Sequence, residues 1–353
     1  MENPLVSICV PTRNRAAALA QTLADIRRQT YSPLDILISD NASEDGTEAL
    51  CRELLSTDPR IRYVRHPRNI GLHRNHNFCL DEARGPYLCI VHDHDRRDPG
   101  IVGEYVTFLE EHSGVGVVCS DWDLIDDADR RIGVRQHRVA DVTAGLDYIG
   151  QTIRSGRSSI GIPGAMIRKS ALGGARFVEG APIGFGDFPV WFTLAEKSDV
   201  GHIGRRLWSW RQNSESHSAR TIESIARDYE FNLEQYCRDH LGRWPEHRDL
   251  VAVWRANIRR YLFWALAYEV TLHFRAGAPR SADASRSLFE IMDYRLTPQQ
   301  FEYAMGQLKS YRKGPTEHLF VAVLETIIRL RLTAPLGWAA RHQAGLRKLL
   351  NLE

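Results

Sequence analysis

Tyr87-Leu88-Cys89-Ile90-Val91-His92-Asp93-His94-Asp95-Arg96-Arg97-Asp98-Pro99 is the stretch on which the fold turns. Its first part, Tyr87 to Val91, has the length and composition of a buried strand, although periodicity alone leaves a helix open. Its second part sets two carboxylates and two imidazoles at the C-terminal end of that run. In an open α/β sheet this end is where ligands bind. An Asp-x-Asp there brings two hard oxygens within reach of one divalent cation. Mg²⁺ or Mn²⁺ held this way keeps further positions open for phosphate oxygens. Read alone, the same residues are also a solvated polar turn with helix-capping acids. The surrounding chain decides between the two.

Working outward, apolar runs and helical patterns alternate. Leu5–Val10 reads as a strand ended by Pro11-Thr12-Arg13-Asn14-Arg15. Residues 16–29 read as a helix with Leu19, Leu23 and Ile26 on one face. Leu34–Ser39 is a second strand, ended by Asp40-Asn41-Ala42-Ser43-Glu44-Asp45-Gly46-Thr47, and Glu48–Ser56 a helix. Ile61–Val64 is a third strand and Asn69–Ala83 a loop entering a helix. After the Asp-x-Asp come a helix over Ile101–Glu111 and a strand over Gly116–Cys119. This alternation predicts an α/β fold with a doubly wound, mostly parallel sheet flanked by helices. Consecutive parallel strands deliver their C-terminal ends to one edge. Arg13, Asp40 and the Asp93/Asp95 pair therefore converge on one crevice.

Beyond residue 120 the reading is sparser. Ser120–Gly133 suggests a strand turning into a hairpin, and Gly161–Ile167 a further strand. Gly184–Glu196 opens a helix with Asp187 at its N-cap position. Gly201–Ile203 and Leu207–Trp210 read as two short strands, and 211–220 as a polar loop containing His217. From Thr221 helical periodicity takes over. The chain divides into a sheet domain over 1–220 and a C-terminal all-α region over 221–353. The last helical pattern, with Arg329, Arg331, Arg341, Arg347 and Lys348, has two readings: a bundle helix with a solvated face, or a surface for anionic lipid.

Composition narrows the function classes. The 353 residues carry a formal charge of only +2, so nothing global points to nucleic acid. Six cysteines show no Cys-x-x-Cys spacing; three of them, Cys9, Cys89 and Cys119, lie in apolar strand-like runs and read as small buried hydrophobes of a reducing, cytoplasmic compartment. No signal-peptide pattern and no long apolar span is read. A Gly-x-Gly-x-x-Gly and a P-loop are both missing, so a nucleotide's phosphates would be held by a metal and by cations.

The ordered motifs resemble the family 2 inverting glycosyltransferases with the GT-A fold. Val6–Arg15 looks like that family's opening, Ser39–Thr47 like its second motif, and Asn69-Ile70-Gly71 with Arg74-Asn75 like a third. His92–Asp95 falls where the family carries its Asp-x-Asp. Gly186-Asp187 with Trp191 resembles its acceptor-site motif. The resemblance covers residues 4–218. It implies that Pro11, Thr12 and Arg13 line the nucleotide pocket, that Asp40 hydrogen-bonds the base, and that Arg74 lies near base or phosphates. It implies a Mn²⁺ or Mg²⁺ ion held by the Asp-x-Asp region, with Asp95 first among Asp93, His94 and Asp95 as ligand, His94 its competitor, Asp93 otherwise a contact to the nucleotide's ribose, and His217 a further residue at the metal-bound diphosphate. It makes Asp187 the general base, against the competing reading of a plain N-cap. The implied partners are a nucleoside-diphosphate sugar of UDP or dTDP type and a sugar, lipid-linked or small-molecule acceptor. Peripheral membrane contact and a homodimer through the helical region are further expectations.

Three departures stand out. His92 and His94 occupy places where acids are usual, and an imidazole ligand favours Mn²⁺ over Mg²⁺. Gly186 replaces a usual Glu. Arg211-Gln212-Asn213 stands where the family often has Arg-x-His, which leaves His217 as a substitute or as a plain loop histidine. Two other classes stay open: a nucleotidyltransferase, disfavoured by the lack of glycine in residues 11–15, and a transferase-like scaffold that binds a partner through its helices.

Overall fold

A computed structural model of the chain describes residues 2–181, 186–212 and 222–273, with isolated positions 308, 318, 321 and 322 beyond them. Its sheet elements are β1 (Val6–Thr12), β2 (Leu34–Asp40), β3 (Ile61–Arg65), β4 (Tyr87–Ile90), β5 (Arg96–Arg97), β6 (Val115–Ile125), β7 (Arg131–Arg135), β8 (Val142–Thr143), β9 (Ala165–Arg168) and β10 (Asp199–Arg211). The helices are α1 (Ala16–Arg27), α2 (Thr47–Thr57), α3 (Leu72–Glu82), α4 (Ile101–Glu111), α5 (Gly145–Ser155), α6 (Phe188–Ala195), α7 (Ile222–Arg243) and α8 (Arg248–His273).

One sheet runs β3-β2-β1-β4-β9-β6-β10-β5, with β7 on β6 and β8 on β10. The block β3-β2-β1-β4 is parallel throughout, and β6 and β10 are parallel to each other. The antiparallel β9 joins the two groups. Every residue of β1 and β2 is buried, as expected for strands covered on both faces. This burial explains why they read as continuous apolar runs without alternation.

Two sequence expectations need correction. The two short strands read in 201–210 are one strand, β10. Gly204-Arg205-Arg206 interrupts its apolar pattern because its register against β6 shifts between Ile203 and Arg206 and again before Trp208. The indistinct stretch after 140 contains α5. Its buried face is Tyr148, Ile149, Thr152 and Ile153, a helical spacing hidden by a glycine start and a polar member.

The chain forms two compact units. The first comprises Met1–Ile149, Ser158–Ala181 and Gly186–Ser214 and contains the whole sheet. The second gathers residues from Glu215 onward together with Gly150–Arg157. Within it α7 and α8 pack through Tyr236 and Trp254, whose rings lie 5.9 Å apart. The boundary read near residue 220 lies outside the described residues. The helices read in 284–292, 297–311 and 317–332, and the basic segment near the C-terminus, lie outside the described residues. No described helix is long and apolar enough to cross a membrane.

Candidate active site

The C-terminal edge of the parallel block gathers the loops after β1, β2 and β4. In the register Thr12 pairs with Asp40, and Cys9 with Ile90, so all three loops leave the sheet together. Side chains tie the first two loops: Asn14 N–H donates to Ser43 Oγ at 2.9 Å, and Glu44 N–H to Asn14 Oδ1 at 2.7 Å. Asn14 and Ala42 both have positive φ, 54° and 60°. An alanine in that region is strained, and such strain gathers at functional edges.

Asp93 is the knot of the β1 and β4 loops. Thr12 Oγ1 donates to its Oδ2 at 2.7 Å, and Arg15 Nη1 reaches its Oδ1 at 3.3 Å. Burial raises the Asp93 pKa. The His94 hydrogen bond, the charges of His94 and Arg15, and the Thr12 hydroxyl outweigh that and hold it below the ordinary carboxylate value. His94 Nδ1 lies 2.9 Å from Arg15 Nη1 and 3.0 Å from Asp93 Oδ1. It cannot accept from the guanidinium and donate to the carboxylate at once, so its proton selects the partner. Burial pulls His94 down, but the bond to Asp93 and the charges of Asp95 and Asp93 win and hold it above its usual pKa.

Asp95 differs. Its Oδ1 accepts the Arg211 backbone N–H at 2.9 Å, while its Oδ2 is buried without a hydrogen-bond partner. His92 Nδ1 stands 3.5 Å from that oxygen. His92, His94 and Asp95 each offer one ligand atom, and these lie within 4.8 Å of one another. A buried carboxylate oxygen with an open lone pair beside two imidazoles fits a divalent cation. Asp93, with both oxygens already engaged, is placed behind that cluster.

Neighbouring elements hold the motif's backbone. Arg211 donates from Nε to the His94 carbonyl at 2.9 Å and from Nη1 to the Asp126 carbonyl at 2.7 Å. Two polar side chains on the buried face of α1, Thr22 and Asp25, and Gln29 just beyond its end grip the same segment. Thr22 Oγ1 donates to the Asp95 carbonyl at 3.0 Å, and Gln29 Nε2 to the Asp98 carbonyl at 2.8 Å. Asp25 accepts from Arg96 Nε at 2.6 Å.

Asp187 sits at the N-cap position of α6, yet its side chain makes no capping bond. Instead its Oδ2 accepts the Trp191 indole N–H at 3.0 Å. Burial raises its pKa, and the Trp191 bond and the nearby His92 only partly offset this. One turn of helix makes the pair possible, since residues i and i+4 share a face.

The other expected residues are placed as follows. Asp40 is fully buried: Tyr63 Oη donates to its Oδ2 at 2.6 Å and Ser43 N–H to its Oδ1 at 2.8 Å. Pro11 is buried and Arg13 exposed. Arg74 is half-exposed and its Nε donates to Glu179 Oε2 at 2.5 Å. His217 lies outside the described residues.

Sequence reading missed Arg15, taking Arg13 as the cation of the loop. It also missed Thr22 and Asp25, whose signal was their place among Leu19, Leu23 and Ile26 on the apolar face of α1, and Gln29 just beyond that helix. It missed His76 too. That buried ring donates from Nδ1 to the Leu72 carbonyl at 2.8 Å, has an unpartnered Nε2, and is pushed down to about 3, chiefly by burial.

A mostly parallel sheet with a carboxylate–imidazole cluster at its edge, followed by a helix bearing a held carboxylate, has the architecture of the GT-A fold. Solved structures share the fold. TarS of S. aureus, in a complex with UDP-GlcNAc, superposes with a TM-score of 0.59 at 15% identity, covering 87% of this chain and 81% of that one. The mannosyltransferase PcManGT of Pyrobaculum calidifontis, with GDP-Man and Mn²⁺, gives 0.54 at 17% identity over 100% and 89%. Residues 7–173 match the model of the family described as Glycosyl transferase family 2. The match marks residues 7–173 as a family 2 glycosyltransferase domain. An uncharacterised protein of Mycobacterium tuberculosis is 28% identical over 229 residues, 62% of this chain and 70% of its own length. A GalNAc(5)-diNAcBac-PP-undecaprenol beta-1,3-glucosyltransferase of Campylobacter jejuni is 33% identical over 93 residues, only 26% and 30% of the two chains.

Proposed function

We propose that the enzyme moves a sugar from a nucleoside-diphosphate sugar to an acceptor hydroxyl with inversion at the anomeric carbon, Asp187 being the general base. The observation that carries this is the state of Asp187. It stands at a helix start without capping the helix, is oriented by Trp191, and is raised by burial toward the pH at which a base works. Its carboxylate removes the acceptor proton as that oxygen attacks in line, and one displacement inverts the centre.

Asp95, His94 and His92 would hold the divalent cation, with the open Asp95 Oδ2 as the oxygen ligand. When bound, the ion neutralises charge on the departing diphosphate. Imidazole nitrogens favour Mn²⁺ over Mg²⁺, and the Mn²⁺ in the Pyrobaculum enzyme supports a cation of this class. Thr12 and Arg15 hold Asp93 behind the cluster. Pro11, Arg13, Asp40 and Arg74 carry the nucleotide side, Asp40 by shaping the turn after β2 through Ser43 and Tyr63. His217 assists at the diphosphate.

TarS binds UDP-GlcNAc and the Pyrobaculum enzyme GDP-Man, which supports a nucleoside-diphosphate sugar as donor. The undecaprenol-linked substrate named for the Campylobacter relative supports a lipid-linked acceptor. Such an acceptor would bring a cytoplasmic enzyme into peripheral membrane contact.

The test is sugar transfer, or sugar-nucleotide hydrolysis, by Asp187→Asn and Asp95→Ala variants with and without EDTA. Losing a single base is expected to cost on the order of 10²–10⁴ in rate. Full activity in Asp187→Asn would remove it as the base. Undiminished activity in excess EDTA would remove the cation.

A further inference from the structure

A second group of metal-ligating side chains lies outside the site above: Asp121 on β6, His137 just beyond β7, and His202 on β10. Each offers one ligand atom, and the three atoms lie within 4.8 Å of one another. Asp121 Oδ1 is the hub. His202 Nε2 lies 3.1 Å from it and His137 Nδ1 3.4 Å, and it also accepts the His137 backbone N–H at 2.9 Å. The two rings meet edge to face, centroids 5.6 Å apart, so they approach one oxygen from different directions.

The arrangement is imposed by the fold. The side chains of Asp121, His137 and His202 are only 5%, 17% and 3% exposed. His202 faces Cys119 in the register of β10 with β6, and its backbone N–H donates to the Asp141 carbonyl at 2.8 Å. Trp122 packs against the His137 ring at 4.8 Å. Cys119 Sγ lies 3.5 Å from His202 Nδ1, the nitrogen turned away from Asp121. A ligating histidine commonly has its second nitrogen held this way.

We propose that Asp121, His137 and His202 form a second metal site, of Zn²⁺ class, in which the ion ties the β6–β7 hairpin to β10. Two nitrogens and one carboxylate oxygen are a borderline donor set that suits Zn²⁺, and three protein ligands leave a position for water. The site shares no residue with the Asp93–Asp95 cluster and does not rest on the transferase reading. Its structural consequence is local: β10 ends in Arg211, whose backbone N–H holds Asp95.

The test uses the full chain carrying Asp95→Ala and His94→Ala, which silences the other cluster. Calorimetry with Zn²⁺ alone, visible absorption with Co²⁺, and thermal melting are the readouts. The expected result is about one equivalent bound, with Co²⁺ d–d bands and a raised melting temperature. Adding His202→Gln or His137→Ala is expected to weaken binding at least tenfold, as loss of a metal-site partner commonly does. Circular dichroism checks folding. If His202→Gln does not fold, His137→Ala, the most exposed of the three ligands, decides. A folded parent that binds no Zn²⁺, leaving only a hydrogen-bonded triad, overturns the proposal. So does binding that His137→Ala leaves undiminished.

Discussion

At the scale of single residues, Asp187 shows how position and role separate. A carboxylate at the first turn of a helix normally serves as a cap and stabilises it. Here the carboxylate accepts from an indole instead, and burial penalises its charge. A folded pKa above the unfolded value contributes stability below the unfolded pKa and loses it as pH rises through the folded one. At neutral pH the charged Asp187 is therefore a cost. Asp187→Asn is expected to melt above the wild type at pH 7 to 8, with the gain disappearing below about pH 4, the ordinary carboxylate range. Melting curves across pH check this, and a lower melting temperature at pH 7 would contradict it. Activity falls in the same variant, the usual exchange between stability and function at a site. Arg15 makes the complementary point. Nothing in Arg13-Asn14-Arg15 marks which arginine turns inward; the left-handed backbone at Asn14 separates the exposed Arg13 from Arg15, which meets Asp93 and His94.

At the scale of elements, α1 does more than cover the sheet. Leu19, Leu23 and Ile26 bury its apolar stripe, and Thr22 and Asp25 on that face, with Gln29 just past the helix end, grip the backbone from Asp95 to Asp98. Asp25 is the member with the largest stake. Burial raises its pKa, but bonds from Arg96, the Arg97 backbone and Arg28 outweigh this and hold it below the usual value. A depressed carboxylate contributes stability above the unfolded pKa and loses it as pH falls through the folded pKa. Asp25→Asn is expected to lower stability by about 1.5–3 kcal/mol at pH 7, the range for hydrogen bonds to charged groups. Arg96 and Arg28 are partly exposed, so solvent screening favours the lower end. The deficit should shrink as pH drops below about 4. Urea denaturation at pH 7 and pH 3.5 measures both values; an equal deficit at the two would remove the charge from the explanation. The helix was legible from its apolar spacing, but the grip was not. Its partners lie about 70 residues away and meet only when the sheet forms.

At the scale of the whole molecule, the six cysteines share one environment. All six are free and buried. Burial pushes Cys51, Cys119 and Cys237 up to about 12 and Cys89 up to about 11, and Cys9 is raised well above its usual value by its bond to Cys79 and by burial. Buried, protonated thiols are inert. The native protein is expected to react negligibly with a thiol-specific disulfide reagent, and all six thiols to react after denaturation. Fast labelling of native protein would show that the core opens. Reductant is expected to leave the melting temperature unchanged.

The sequence by itself determined the alternation of strands and helices, the parallel block, and the edge to which its polar loops are delivered. These follow from short-range periodicity and from the rule that parallel strands point one way. It also carried the ordered motifs that mark the family. Tertiary structure decided which oxygen of which acid is open. Thr12, Arg15 and His94 engage Asp93, while Arg211 takes one oxygen of Asp95 and leaves the other bare. It decided that Asp187 holds Trp191 instead of a helix end, and it joined Asp121, His137 and His202 across three segments. The physical reason is the same in each case. A side chain's charge and availability are set by partners distant in the chain, and hydrogen bonds at that separation leave no period in the sequence.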